Sequence, residues 1–256
     1  MRGRRFWLLG FSGVLGCARE QGPRPEDTEI WEPVPPVAVS SVATDTVAPA
    51  DAIVLFDGSG LDEWVNTRDG GPAAWTLLDG LMVVDKSVGN IETRRRFGNY
   101  ELHLEYRIPE GITGDGQARG NSGLFLASTG EGDRGYELQI LDSYGNATYV
   151  NGMAGSVYKQ SPPLVNASRA PGEWQSYDVT WTAPSFDPDG TVRTPARVTA
   201  SLNGVLVQND FVLSGETVYI GTPRYSAHGN SPIKLQAHGD PSAPISFRNI
   251  WVRELP

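Results

Sequence analysis

The run from Tyr100 to Ile108 alternates between apolar and polar side chains without an error. Tyr100, Leu102, Leu104, Tyr106 and Ile108 share one face, and Glu101, His103, Glu105 and Arg107 share the other. A period of two sorts residues this way only on a strand, so the run predicts a half-buried antiparallel strand. Shorter alternating runs recur at 123–128, 177–182, 233–238 and 245–252, and no long stretch keeps a helical period. Asp79-Gly80 and Asn203-Gly204 each sit between two such runs, the dipeptides that type I′ hairpin turns favour. With 30 glycines and 19 prolines to punctuate it, the chain is expected to be all-β: a jelly-roll β-sandwich of two antiparallel sheets. Residues 51–256 are long enough to form it as one domain.

The first fifty residues have a different character. Arg2, Arg4 and Arg5 precede an apolar run from Phe6 to Leu15, the pattern of a signal peptide over 1–16, too short to span a bilayer. Val14-Leu15-Gly16-Cys17 resembles a bacterial lipobox. Cys17 is the only cysteine, which excludes an intrachain disulfide and marks it as the expected lipidation site. Ala18 follows where an inner-membrane retention signal would place aspartate, so an exported lipoprotein on the outer membrane, held by its N-terminal lipid, is expected. Residues 17–50, rich in proline and acids, read as a disordered tether. The formal charge of −9 grows more negative once the leader's arginines are gone, which argues against nucleic acid as a partner.

Chemistry concentrates on the polar faces of the strands. Gly135-Tyr-Glu-Leu-Gln-Ile-Leu-Asp142 puts Glu137 and Gln139 on one face, and a bulge after Gln139 would bring Asp142 round to join them. Lys234, Gln236, His238 and Arg248 lie on the polar faces of other strands. If these strands are neighbours, acid, amide, imidazole and guanidinium groups line a surface suited to sugars, with Trp64, Trp174, Tyr158 and Trp251 as candidate platforms. His238, at a strand end, is placed to exchange protons near neutrality. Asp187-Pro-Asp-Gly190 offers oxygen ligands, so a divalent metal such as calcium stays open beside a plain turn. There is no phosphate-cradling glycine loop, so no nucleotide cofactor is expected, and no Gly-x-Ser-x-Gly.

An ordered set of motifs carries a resemblance. Leu55-Phe-Asp-Gly-Ser-Gly-Leu-Asp-Glu-Trp64, Phe97-Gly-Asn-Tyr-Glu-Leu102, Gly120-Asn-Ser-Gly-Leu124, Gly135 to Asp142, Gly155-Ser-Val-Tyr158, Pro171-Gly-Glu-Trp174, Leu202-Asn-Gly204, Leu235-Gln-Ala-His-Gly239 and Phe247-Arg-Asn-Ile250 together resemble the 3-keto-disaccharide hydrolase domain family across nearly all of 53–255. The resemblance implies a concanavalin-like jelly roll and a glycoside whose C3 hydroxyl has been oxidised to a ketone, with a functional link to a sugar 3-dehydrogenase. The ketone acidifies the C2 proton, so a base removes it and the enolate expels the oxygen at C1. In this scheme Glu137 and His238 are the catalytic acid and base, in either order. Gln139, Lys159, Gln236 and Arg248 donate to the substrate, and Asn121 and Asp142 orient hydroxyls.

Two other readings compete. Glu-x-Gln-x-x-Asp also looks like an altered retaining endo-glucanase strand, whose two carboxylates flank the bond. A lectin-like surface module would bind glycans without turnover, and a fold alone cannot separate these.

Overall fold

The computed structural model describes residues 22–40 and 46–256. The signal peptide and Cys17 lie outside the described residues. In chain order the strands are β1 (Ile53–Phe56), β2 (Trp64–Asn66), β3 (Thr76–Leu78), β4 (Leu81–Val83), β5 (Ile91–Thr93), β6 (Tyr100–Arg107), β7 (Ser122–Ser128) and β8 (Gly135–Ile140). They continue as β9 (Trp174–Thr182), β10 (Ser185–Phe186), β11 (Val192–Thr194), β12 (Arg197–Leu202), β13 (Val205–Val212), β14 (Lys234–Leu235) and β15 (Ser246–Glu254).

Two antiparallel sheets make the sandwich. The larger runs β13-β12-β9-β6-β15-β4-β3, with β1 added on β15, and the smaller runs β2-β5-β14-β7-β8. Their facing sides interdigitate as one apolar core, with Tyr100, Leu102, Leu104 and Tyr106 from the larger sheet, and Ile108 just past the end of β6, meeting Leu124, Leu126, Tyr136, Leu138 and Ile140 from the smaller. This is the jelly-roll fold expected from the strand pattern. Both hairpins form as their dipeptides require, with φ of 52° and 74° at Asp79 and Gly80 and 55° and 75° at Asn203 and Gly204, values an I′ turn demands at both positions.

β6 departs from a half-buried strand. It lies inside the larger sheet between β9 and β15, and its polar face is covered too. His103 is fully buried, stacked on Trp251 with ring centroids 5.3 Å apart. Its Nδ1 meets Asp178 Oδ1 at 2.7 Å and its Nε2 meets Glu105 Oε1 at 3.3 Å. Burial alone would lower its pKa, but the two carboxylates outweigh burial and raise it to about 9.

The N-terminal segment also differs from expectation. Residues 22–40 lie against the domain rather than apart from it, because their backbone groups find fixed partners. Asn151 accepts from the Ile30 amide at 2.9 Å and donates to the Thr28 carbonyl at 2.9 Å. Farther on, Ala38 N donates to Asn166 O and Asn166 N donates to Pro36 O, each at 2.9 Å.

Candidate active site

The outward face of the smaller sheet carries the site. Register brings its strands together, since Lys234 on β14 stands between Glu92 on β5 and Phe125 on β7, and Phe125 stands opposite Glu137 on β8; of these four only Glu137 lines the cavity, while Lys234 is buried with its Nζ donating to the carbonyls of Gly130, Gly132 and Arg134. Gln139 is opposite Gly123, whose carbonyl accepts from the Gln236 amide at 3.0 Å. Residues from three strands separated by about a hundred positions thus come to one surface. Above it opens a cavity of about 790 Å³, lined by five of the predicted residues: Glu137, Gln139, Gln236, His238 and, from the loop before β7, Asn121. That volume suits a small oligosaccharide.

Glu137 is 5 % exposed, and its carboxyl folds over Gly123, where a Cβ would stand 2.5 Å from Oε1. Burial is the main cause that pushes its pKa up to about 8; the Asp133 charge adds to this and Lys234 opposes it. Near neutrality Glu137 therefore holds a proton, as a general acid requires. The Gln139 amide is best satisfied with its nitrogen donating to Ser122 O at 3.0 Å and to Glu137 Oε1 at 3.1 Å; the opposite orientation faces it to Gln117 Oε1 at 3.1 Å. Gln236 Oε1 is buried without a hydrogen-bond partner and borders the cavity, so a ligand hydroxyl would complete it.

His238 is half-buried at the cavity rim, and its Nδ1 lies 3.0 Å from Asp240 Oδ2. Asp240 is itself held from several sides, by the Ser242 amide at 2.9 Å and hydroxyl, and by Lys86 Nζ at 3.1 Å. Burial opposes its charge, but the hydrogen bonds from His238, Ser242 and Lys86 prevail and keep its carboxyl well below the usual range. The Asp240 amide also approaches Nδ1, at 3.3 Å; with the proton on Nδ1 donated to the ionised carboxylate, the imidazole is oriented with Nε2 left for a ligand, the role an aspartate plays in hydrolytic triads. The cavity is also lined by a tyrosine pair, Tyr149 and Tyr158, with hydroxyls 2.7 Å apart. Burial chiefly raises the Tyr149 phenol to about 12, so it stays a donor.

Three expected residues stand elsewhere. Arg248 is on β15, in the other sheet, where Nε donates to Glu105 Oε2 at 2.6 Å and the guanidinium covers the Trp174 ring at 4.1 Å. Asp142 is not brought round, because the β7–β8 register runs unbroken from Ser122↔Ile140 to Phe125↔Glu137. It is buried on Arg119 at 2.7 Å and caps the Tyr144 amide at 3.1 Å, which anchors the loops beside the cavity. Lys159 braces the wall from behind, its Nζ donating to Pro25 O at 2.7 Å and Tyr219 O at 3.0 Å. Among the proposed platforms only Tyr158 borders the cavity. Trp64 is core, Trp251 packs on His103, and Trp174 packs under Arg107 and Arg248. Asp187-Pro-Asp-Gly190 is a turn closed by Gly190 N to Asp187 O and tied by Arg193, and no cluster of three metal-ligating side chains occurs among the described residues.

The sequence did not single out Gln117, Asp133, Tyr149, Tyr219, Asp240 or Glu29, all of which line the cavity. Asp240, two residues after His238, carried a signal in its spacing; the rest lie outside the strands, Gln117 in the short 3₁₀ turn Gly116–Ala118, with no local pattern.

Comparison with known proteins fixes the family. The model of the 3-keto-alpha-glucoside-1,2-lyase-like domain matches residues 51–253. The chain belongs to this family. A structure from Parabacteroides distasonis, described as a "putative glycosyl hydrolase", is 47% identical with a TM-score of 0.77, covering 97% of this chain and 100% of that one. A second protein of that organism, described in the same words, is 19% identical with a TM-score of 0.60 over 82% of this chain and 99% of its own, a likeness of fold alone. Among curated proteins nothing matches. Family and relatives support a carbohydrate-active function.

Proposed function

We propose that the protein cleaves 3-keto-glycosides by removing the C2 proton and expelling the glycosidic oxygen from C1. The observation that carries this reading is the pairing, in one cavity, of a buried carboxyl that keeps its proton, Glu137, with an imidazole oriented by an ionised carboxylate, His238 on Asp240. An elimination needs an acid and a base of this kind together.

In this reaction the Nε2 lone pair of His238 takes the C2 proton. The C2–H electron pair moves into the C2–C3 bond, and the carbonyl becomes an enolate whose oxygen is held by tyrosine or amide hydrogens. Collapse of the enolate breaks the C1–O bond as Glu137 passes its proton to the leaving oxygen. Water then adds at C1 of the 2-hydroxy-3-keto-glucal, C2 regains a proton, and the keto sugar departs. Each transfer and each oriented donor contributes on the order of 10²-fold or more in rate. Gln139, Gln236 and Asn121 hold the remaining hydroxyls. The endo-glucanase reading is weakened by Asp142, whose carboxylate is spent on Arg119 and supplies no partner acid.

The chemistry requires a sugar 3-dehydrogenase to supply the ketone. An exported lipoprotein anchored through Cys17 would meet such substrates outside the cytoplasm, and globomycin-sensitive processing with fatty-acid labelling checks that anchor. The function is tested by aglycone release from a 3-keto-α-glucoside: Glu137→Gln and His238→Ala should each lose at least about 10²-fold in turnover, and near-normal rates in both would overturn the site.

A further inference from the structure

The family domain begins at residue 51, yet one side chain at the cavity comes from well before it. Glu29 is partly buried, follows the short 3₁₀ turn Pro25–Thr28, and lines the same cavity as Glu137 and His238. It is held there by a docked strap, not by a passing contact. Asn151, itself fully buried, clamps Thr28 O and Ile30 N on either side of Glu29 through both ends of its amide. Val150 N adds a bond of 2.6 Å to Ile30 O, and Lys159 Nζ grips Pro25 O at 2.7 Å. Trp31 packs edge-on against Tyr149 with ring centroids 6.1 Å apart, and Pro35 is buried farther along. A segment stiffened by Pro25, Pro33, Pro35 and Pro36 loses little chain entropy on docking, which favours a lasting position over transient contact.

Tyr149 joins this strap to the reacting centre. Its hydroxyl bonds Tyr158, whose amide donates to the Glu137 carbonyl at 3.1 Å, while its ring takes Trp31 of the strap. Glu29 and Tyr149 thus line the same cavity as Glu137 and His238, which has room for a sugar beyond the one being cleaved.

We infer that the strap of residues 22–40 builds the leaving-group subsite, with Glu29 accepting hydrogen bonds from hydroxyls of the second sugar and Trp31 with Tyr149 as its apolar side. This rests on the cavity being a glycoside site, as proposed above. A carboxylate suits the task because it accepts from two adjacent hydroxyls at once, with stronger bonds than a neutral acceptor makes.

The test is calorimetry on the full chain carrying His238→Ala, so that bound ligand is not consumed, with trehalose, 3-keto-trehalose and methyl 3-keto-α-glucoside as probes. Adding Glu29→Ala should weaken 3-keto-trehalose roughly 10-fold or more, the scale of a lost charged hydrogen bond, and leave methyl 3-keto-α-glucoside within about two-fold. Trp31→Ala should act in the same direction, and the amides of Ile30 and Ala38 should exchange more slowly when 3-keto-trehalose is bound. Unchanged disaccharide affinity in Glu29→Ala, or equal weakening of both keto sugars, overturns the subsite and leaves the reacting centre standing. Weakening that extends to unoxidised trehalose supports the subsite while counting against a requirement for the ketone. Failure of the parent protein to bind any of the three overturns both.

Discussion

Glu137→Gln should make the protein more stable at the same time as it removes turnover. In the folded protein the Glu137 carboxyl is pushed from the ordinary 4.5 to about 8, chiefly by burial. The unfolded chain releases that proton near 4.5, so between the two values folding must hold a proton that the unfolded state gives up. Stability contributed by this residue is therefore lost as pH rises from about 4.5 and levels off above about 8. At about 1.36 kcal/mol for each tenfold change, the full difference is on the order of 5 kcal/mol; relaxation around Lys234 and Asp133 reduces what is observed to about 2–4 kcal/mol at pH 8. A neutral glutamine of the same shape removes the cost. For a domain of this size that is a rise in Tm of roughly 5–15 °C. At pH 5, where the unfolded glutamate is only partly ionised, the advantage shrinks below about 1 kcal/mol. Urea denaturation of both proteins at pH 5 and pH 8 measures it. A variant no more stable than wild type at pH 8, or equally stabilised at both pH values, would refute the claim that Glu137 is buried as a neutral acid. Such a trade between stability and activity is common where a site holds a group away from its preferred state.

Other consequences can be checked alongside. Asp240→Asn should lower kcat by about 10² or more with little change in KM, because it alters the tautomer and aim of His238 rather than ligand contacts; an unchanged kcat contradicts the dyad. Gly123→Ala puts a methyl 2.5 Å from Glu137 Oε1, so the carboxyl must move while the fold survives: kcat should fall at least tenfold at a near-native Tm, measured on one preparation. Arg248→Met should leave sugar affinity within about two-fold yet cost about 1–3 kcal/mol in urea denaturation, since it takes from the buried Glu105 carboxylate the guanidinium on Oε2 and leaves it to His103 and Asn249 on Oε1; weakened sugar binding would return Arg248 to the site.

What the sequence revealed and what it hid divide along locality. β6, the two I′ hairpins and the Glu137–Gln139 pair could be read because a period of two and a dipeptide turn are written into neighbouring residues. The apolar face of β6 is where alternation puts it, but His103 and Glu105 are buried because Trp251, Arg248 and Asp178 arrive from strands far along the chain. Arg248 shows the same limit from the other side. Alternation assigns it an outward face without saying of which sheet, and pairing of β15 with β6 puts it in the larger one. Asp142 required a bulge that the β7–β8 register does not contain. Glu29 needed a partner such as Asn151, more than a hundred residues away, and nothing in a proline-rich acidic stretch announces that.

Whether chemistry begins at C2 of an oxidised sugar is read directly from cleavage of methyl 3-keto-α-glucoside in deuterium oxide, followed by mass spectrometry and proton NMR at early turnover. One deuterium is expected at C2 of the released keto sugar, incorporated far faster than in enzyme-free controls, with no cleavage of methyl α-glucoside itself. Release of the aglycone from both sugars, with hydrogen retained at C2, would contradict proton removal there.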